Sequence, residues 1–165
     1  MTEYQDLYDR GCRKLGRLHR RGDPLAEGTY FLVVNVWIVN SLGEVLIAQR
    51  HTDKKMWGGL WECAASGGVL AGEDSLQGAL RETREEIGVD LDPSEAVLLE
   101  TLVRRDNIRD TFLFRRDIDL SGLTLQPGEV ADARWVTPEG YDDLCGKGLM
   151  APPVMNFRVL YPLWR

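Results

Sequence analysis

A chain of 165 residues is long enough for one hydrophobic core and too short for two ordinary domains. Hydrophobic residues make up 44% and charged residues 28%, the balance of a soluble globular protein. The formal net charge of −6 argues against binding nucleic-acid polymers as the main activity. It leaves room for small anionic substrates, because a metal ion can reverse the local field.

Cys12, Cys63 and Cys145 are isolated and odd in number, with no pair at zinc spacing, so free thiols in a reducing cytoplasm are expected. The N-terminus has no signal-peptide core, and no apolar run reaches membrane-spanning length.

Residues 1–27 read as a basic hairpin or arm attached to a domain over 28–165. Tyr4, Leu7 and Tyr8 precede a turn around Asp9 to Lys14, and Leu15 to His19 return. Arg10, Arg13, Lys14, Arg17, Arg20 and Arg21 make this the most basic part of an acidic chain. A solvated hairpin is the reading adopted for it. A face turned to substrate phosphates, or docked on a second copy in a homodimer, is the alternative. His19 and His51 are read as solvated or structural.

Phe31 to Val39 is rich in β-branched and aromatic residues and is expected to be a buried strand. Asn40-Ser-Leu-Gly43 reads as a turn, from which Glu44 to Arg50 pairs back as a hairpin. A polar loop over 51–59 ends in Trp57-Gly-Gly-Leu-Trp61, whose tryptophans are expected to cover the core rather than stack on a base. One short strand, Glu62 to Ser66, follows.

Gly67, Gly68 and Gly72 then let the backbone turn tightly and expose its carbonyls. Asp74 or Ser75 is placed to cap a helix, with Gln77 reaching back from the first turn. Leu76, Leu80, Thr83 and Ile87 recur at helical spacing, and Gly88 supplies a left-handed stop. At about 100° per residue, Glu82, Glu85 and Glu86 fall within an arc of roughly 100°, away from that stripe. Three carboxylates on one arc repel one another, so a positive group belongs among them.

Beyond the helix, Ala96 to Val103 and Asp110 to Ile118 read as paired strands across an arginine-bearing turn. Pro127-Gly-Glu129 opens a strand over Val130 to Val136. Thr137-Pro-Glu reads as a helix cap with proline at the first helical position. Val154 to Trp164 is expected to be a helix packed on the sheet. The order of elements gives an α/β fold with a mixed sheet and helices on both faces.

Across 23 residues the spacing G-x5-E-x7-R-E-U-x-E-E-x-G-U, with U aliphatic, is met by Gly67, Glu73, Arg81, Glu82, Glu85, Glu86, Gly88 and Val89. This stretch resembles the signature of the Nudix hydrolases, which cleave nucleoside diphosphates linked to another moiety. Thr83 stands where an aliphatic residue is expected. It lies on the core stripe, where its hydroxyl can bond the Ala79 carbonyl.

The resemblance implies a Nudix-type α/β/α sandwich and Mg²⁺ as cofactor, with Mn²⁺ as an alternative. It also implies a small-molecule diphosphate substrate, with no nucleic-acid polymer and no membrane as partner. By the same resemblance Glu82, Glu85 and Glu86 ligate the cation with the Gly67 carbonyl, and Arg81 orients Glu82. Glu73 and Gly88 are structural, and Arg50 faces the substrate phosphates.

The general base is either Glu82 or Glu129, which lies on a later loop resembling the family's second arrangement; an extra metal ligand or a plain turn residue are the other readings of Glu129. Two other readings compete. The tract from Gly28 to Trp61 loosely resembles isopentenyl-diphosphate isomerases, which use a cysteine just before the box glycine; this chain has Ser66 there, and Cys63 comes three residues too early. A non-catalytic binding module is the other, although such modules typically lose box carboxylates.

Overall fold

The computed structural model describes residues 2–162 and Trp164. The first hairpin pairs β1 (Tyr4–Tyr8) with β2 (Lys14–Arg20) in a two-stranded sheet. A bridge between Tyr8 and Tyr30 leads into the main sheet. That sheet is built on β3 (Phe31–Val39), which runs parallel to β8 (Asn107–Arg115) through nine matched positions. β7 (Val97–Val103) pairs antiparallel at the outer side of β8. On the other side of β3 lie β4 (Val45–Arg50), β5 (Trp61–Cys63) and β9 (Val130–Val136), joined by antiparallel pairing.

Alternation along β3 decides what covers each face. Val34, Val36 and Ile38 point to one core, shared with Leu46, Phe112, Phe114 and the Ala79 and Ile87 side of α1 (Ser75–Ile87). Trp37 and Val39 point to a second core, with Val45, Ile47, Trp61, Tyr141 and Phe157. The second is covered by α2 (Pro138–Gly146) and the C-terminal segment, where Trp37 stacks on Phe157 at 4.2 Å between ring centroids. The sheet thus lies between two helical layers, as expected.

Two elements differ from the sequence reading. Glu62 to Ser66 is not one strand: β5 pairs with β4, and β6 (Ala65–Gly68) crosses to pair with β3. Ala64 and Ala65 are both fully buried, which breaks simple alternation and lets the chain change partners. The expected helix over Val154 to Trp164 contracts to α3 (Phe157–Leu160), after a 3₁₀ turn at Pro152–Val154. Aromatic packing of Tyr141, Tyr161 and Trp164 around Phe157 holds this segment, so its apolar residues serve a cluster rather than a helical stripe.

The expected arginine-bearing strand pair is present, with β8 starting three residues earlier than read. All three cysteines are free thiols. No helix among the described residues is long and apolar enough to cross a membrane.

Candidate active site

The glycine loop and α1 form a locally closed unit. Asp74 accepts from the Gln77 amide at 2.8 Å, and the Gln77 side chain accepts from the Asp74 amide at 2.9 Å. This reciprocal cap satisfies two orphan donors of the first turn. Gly88 ends the helix at φ 74°, its N–H reaching the carbonyls of Thr83 and Arg84. The Thr83 hydroxyl donates to the Ala79 carbonyl at 2.8 Å, which explains how a polar residue sits fully buried on the core stripe.

Arg81 ties the unit together. Its Nε and Nη2 hold the two Glu73 oxygens at 2.8 and 3.1 Å, and Nη2 also donates to the Gly68 carbonyl at 2.8 Å. Nη1 donates to Glu82 at 2.9 Å and to Glu85 at 3.1 Å. Glu73 Oε2 in turn accepts from the Leu70 amide at 3.0 Å, so one carboxylate ties the loop to Arg81. The positive group among the carboxylates is therefore supplied from within the same helix.

The carboxylates are not equivalent. Glu82 and Glu86 are buried, whereas the Glu85 side chain is half exposed. Burial arises because β6 lies over α1: the Ser66 amide donates to Glu86 at 2.9 Å, and a Cβ at Gly67 would overlap the Glu82 carboxyl group. Desolvation raises the Glu82 pKa above its ordinary value, against the pull of Arg81. Glu86 is raised further, first by desolvation and then by the charge of Glu62.

The donor set suits a hard divalent cation. It consists of oxygens alone, buried carboxylates there gain from a compensating charge, and the absent side chain at Gly67 lets Glu82 approach the backbone. Among the described residues, no three acidic, histidine or cysteine side chains are gathered tightly enough to hold a metal as they stand. Arg81 draws Glu82 and Glu85 toward itself while Ser66 holds Glu86.

Ser66 links this unit to Glu62, and Arg50 donates from Nη1 to both Glu62 oxygens at 2.9 and 3.0 Å, and from Nε to the Met56 carbonyl at 3.0 Å. Among the described residues its Nη2 has no hydrogen-bond acceptor. Glu129 pairs with Lys54, and the Glu129 carbonyl accepts from the His51 amide at 2.8 Å. The loop over 51–60 and the turn before β9 thus meet at Glu129.

Trp61 is buried beneath Arg134, whereas Trp57 stays partly exposed with φ 55°. Trp61 covers the core as expected; Trp57 does not, being exposed and outside both core clusters.

Glu62 and Lys54 were not singled out from the sequence. A charge inside the apolar triplet Trp61-Glu62-Cys63 was the available signal, since a carboxylate buried between such neighbours needs a partner. Here the partners are Arg50 and the Ser66 hydroxyl, which donates to Glu62 at 3.3 Å. For Lys54 no local signal existed, because its partner lies 75 residues away.

The NUDIX domain family model matches residues 29–154. A Listeria monocytogenes protein named an uncharacterized Nudix hydrolase is 39% identical over 150 residues, covering 91% of this chain and 89% of its own length. An isopentenyl-diphosphate Delta-isomerase of Paenarthrobacter aurescens is 29% identical over 83% of this chain and 77% of its own. The crystal structure of DR0079 from Deinococcus radiodurans superimposes with a TM-score of 0.78 at 22% identity, covering 99% of this chain and all of that one.

Proposed function

This chain belongs to the Nudix family as a pyrophosphohydrolase, and on that premise we propose a divalent-metal-dependent hydrolysis of a nucleoside diphosphate linked to another moiety, or a similar diphosphate, by water attack on phosphorus. The observation that carries this reading is the edge of α1, where Arg81 holds Glu82 and Glu85, the Ser66 amide holds Glu86, and Glu82 packs against the Gly67 backbone.

Glu82, Glu85, Glu86 and the Gly67 carbonyl would hold Mg²⁺ or Mn²⁺. When bound, the cation neutralises phosphate oxygens and acidifies a coordinated water. Arg81 positions Glu82 through its charge-assisted bond and keeps the helix edge compact by bracing Glu73. Glu85 is the exposed member, free to turn from Arg81 toward solvent at the cost of one of the arginine's several bonds. Arg50 presents Nη2 to a substrate phosphate, with its other nitrogens fixed by Glu62 and Met56.

Glu82 or Glu129 takes the proton from water. Glu129 is half exposed on its loop, and a polyanionic substrate competing for Lys54 would release it.

The isomerase reading is disfavoured by the thiol it would require. Cys63 is fully buried and bonded to the Ala65 carbonyl, and desolvation pushes its pKa well above the ordinary value. A panel of nucleotide sugars, dinucleotide cofactors, nucleoside triphosphates and non-nucleotide diphosphates, read by phosphate release with Mg²⁺, Mn²⁺ or chelator, tests the proposal. Metal-dependent turnover of a panel member is expected. Turnover that persists in chelator, or isomerisation of isopentenyl diphosphate, would overturn it.

A further inference from the structure

A strip of polar side chains runs from the candidate site across the sheet. Ser66, whose amide holds Glu86 and whose hydroxyl bonds Glu62, pairs with Asn35 on β3. Asn35 pairs with Thr111 on β8, and Thr111 with Glu100 on β7. Directly paired residues point to the same side of a sheet, so these four side chains share one face. It is the face of Trp37 and Leu113, each two residues further along its strand. Asn35 and Thr111 are buried, and so is Arg109, which precedes Thr111 by two residues and faces the same way.

Here the fold leaves polar atoms without partners. Glu100 Oε2, Asn107 Oδ1, Arg109 Nε and Thr111 Oγ1 are buried and make no hydrogen bond among the described residues. Asn107, Arg109 and Thr111 alternate along β8, so all four atoms belong to side chains on this one face. Arg109 Nη1 donates to the Pro153 carbonyl at 2.8 Å, whereas Nη2 stops 4.0 Å from Glu100 Oε2, beyond hydrogen-bond reach. A buried donor or acceptor left unpaired costs its full desolvation. Such a cluster on one face suits a partner that brings its own polar groups.

We propose that Glu100, Arg109 and Thr111 form a nucleobase subsite, binding the hydrogen-bonding edge of the base carried by the diphosphate. The proposal rests on the diphosphate reading above. Thr111 lies two strand spacings from Ser66, about 10 Å. A diphosphate at the α1 edge therefore sends its nucleoside across β3 toward β8. The chemistry of the strip selects a base over a sugar or a further phosphate. A guanidinium only donates, a carboxylate only accepts, and the Thr111 hydroxyl does either. Fixed donors and acceptors side by side match the fixed edge of a planar heterocycle, whereas sugar hydroxyls reverse polarity freely. Arg109 and Glu100 together carry no net charge to attract another phosphate. Over Arg109 lies the Pro152–Val154 turn, tied by the Pro153 carbonyl, and the base enters by moving that turn aside.

The test is calorimetric titration of the full chain with Mg²⁺. The ligands are α,β-methylene-ADP, its guanosine, cytidine and uridine counterparts, and methylenediphosphonate, which carries no nucleoside. One of the four nucleotides should bind at least about tenfold tighter than methylenediphosphonate. Thr111→Val removes the hydroxyl at nearly constant volume. It should weaken that nucleotide by about tenfold, the scale of one hydrogen bond, and leave methylenediphosphonate unchanged. Without ligand, Thr111→Val should melt at the wild-type temperature or higher, because an unpaired hydroxyl leaves the interior. Glu100→Gln, which sets a donor beside the acceptor, should narrow the lead of the preferred base over the others.

Equal loss for both kinds of ligand in Thr111→Val would overturn the assignment, as would an intact lead in Glu100→Gln. A lower midpoint for Thr111→Val with unchanged nucleotide affinity would also overturn it, since that is the behaviour of a hydroxyl holding an internal water. If a panel member is turned over with metal while none of the four nucleotides outbinds methylenediphosphonate, only the base subsite falls. If no panel member is turned over and no analogue binds, the diphosphate reading falls with it.

Discussion

The two walls of the candidate site are built in opposite ways. The α1 wall is short-range: within residues 66–88, Arg81 makes five bonds, Asp74 and Gln77 cap one another, and Ser66 clamps Glu86. The other wall is long-range: Lys54 meets Glu129 across 75 positions, and Arg50 meets Glu62 across 12. The first wall stores repulsion, with buried carboxylates crowded at one helix edge. The second stores little, because Lys54 and Glu129 neutralise each other at a partly exposed rim. The first wall thus holds its carboxylates through short-range bonds, whereas the second depends on contacts between distant segments.

The largest effect expected breaks the stiff wall. Glu85→Gln or Glu86→Gln should cut turnover by at least a hundredfold, about 2.7 kcal/mol of barrier, in steady-state assays with Mg²⁺. Stability should not follow activity. The Glu86 pKa is raised in the folded protein above its ordinary value of 4.5, so its contribution is complete below that pH and is lost as pH rises through the folded-state value. At neutral pH the metal-free Glu86→Gln protein should therefore melt at the same temperature as wild type or higher. Added Mg²⁺ should raise the wild-type midpoint and leave the variant less affected. A lower midpoint for metal-free Glu86→Gln would contradict the account of crowded charge.

Removing Arg81 should cost stability as well as activity. Arg81→Ala strips Glu73 and the buried Glu82 of their partner and frees the Gly68 carbonyl, and chemical denaturation should report a loss of about 2–4 kcal/mol. Loss below about 0.5 kcal/mol would mean that solvent replaces the arginine freely.

Glu129→Gln sharpens the comparison, because it asks whether the looser wall takes part in chemistry. If Glu129 is the base, turnover falls with little change in KM and a limb disappears from the pH–rate profile. If Glu82 serves, Glu129→Gln changes turnover by less than about threefold, under ~0.7 kcal/mol, and Glu82→Gln is severe. Asp74→Ala should have the smallest effect, about 1 kcal/mol in thermal or denaturant unfolding, with turnover preserved.

How legible each wall was in the sequence follows from this contrast. The capping pair Asp74 and Gln77, the left-handed stop at Gly88 and the Thr83 back-bond to Ala79 are all fixed by spacings of three to five residues. Helical geometry converts such spacings directly into contacts. Even so, periodicity placed Glu82 and Glu86 on the side away from the core stripe, and they are buried. Their cover is β6, which belongs to the sheet rather than to the helix. For Arg50 the strand-end position was legible, while its clasp on Glu62 depends on β4 and β5 pairing.

The sequence by itself determined the elements whose signals are local: the buried strand at Phe31–Val39, the glycine loop, the capped acidic helix and the proline-started α2. Tertiary structure alone decided the split of Glu62–Ser66 into two strands, the contraction of the C-terminal helix to α3, the Lys54–Glu129 pair and the seating of the hairpin on the loop before α1. The physical reason is the same in each case. Helix caps and periodic faces are set by neighbours within a few residues, whereas strand partners, aromatic clusters and ion pairs between distant loops form only once chain closure has brought remote segments together.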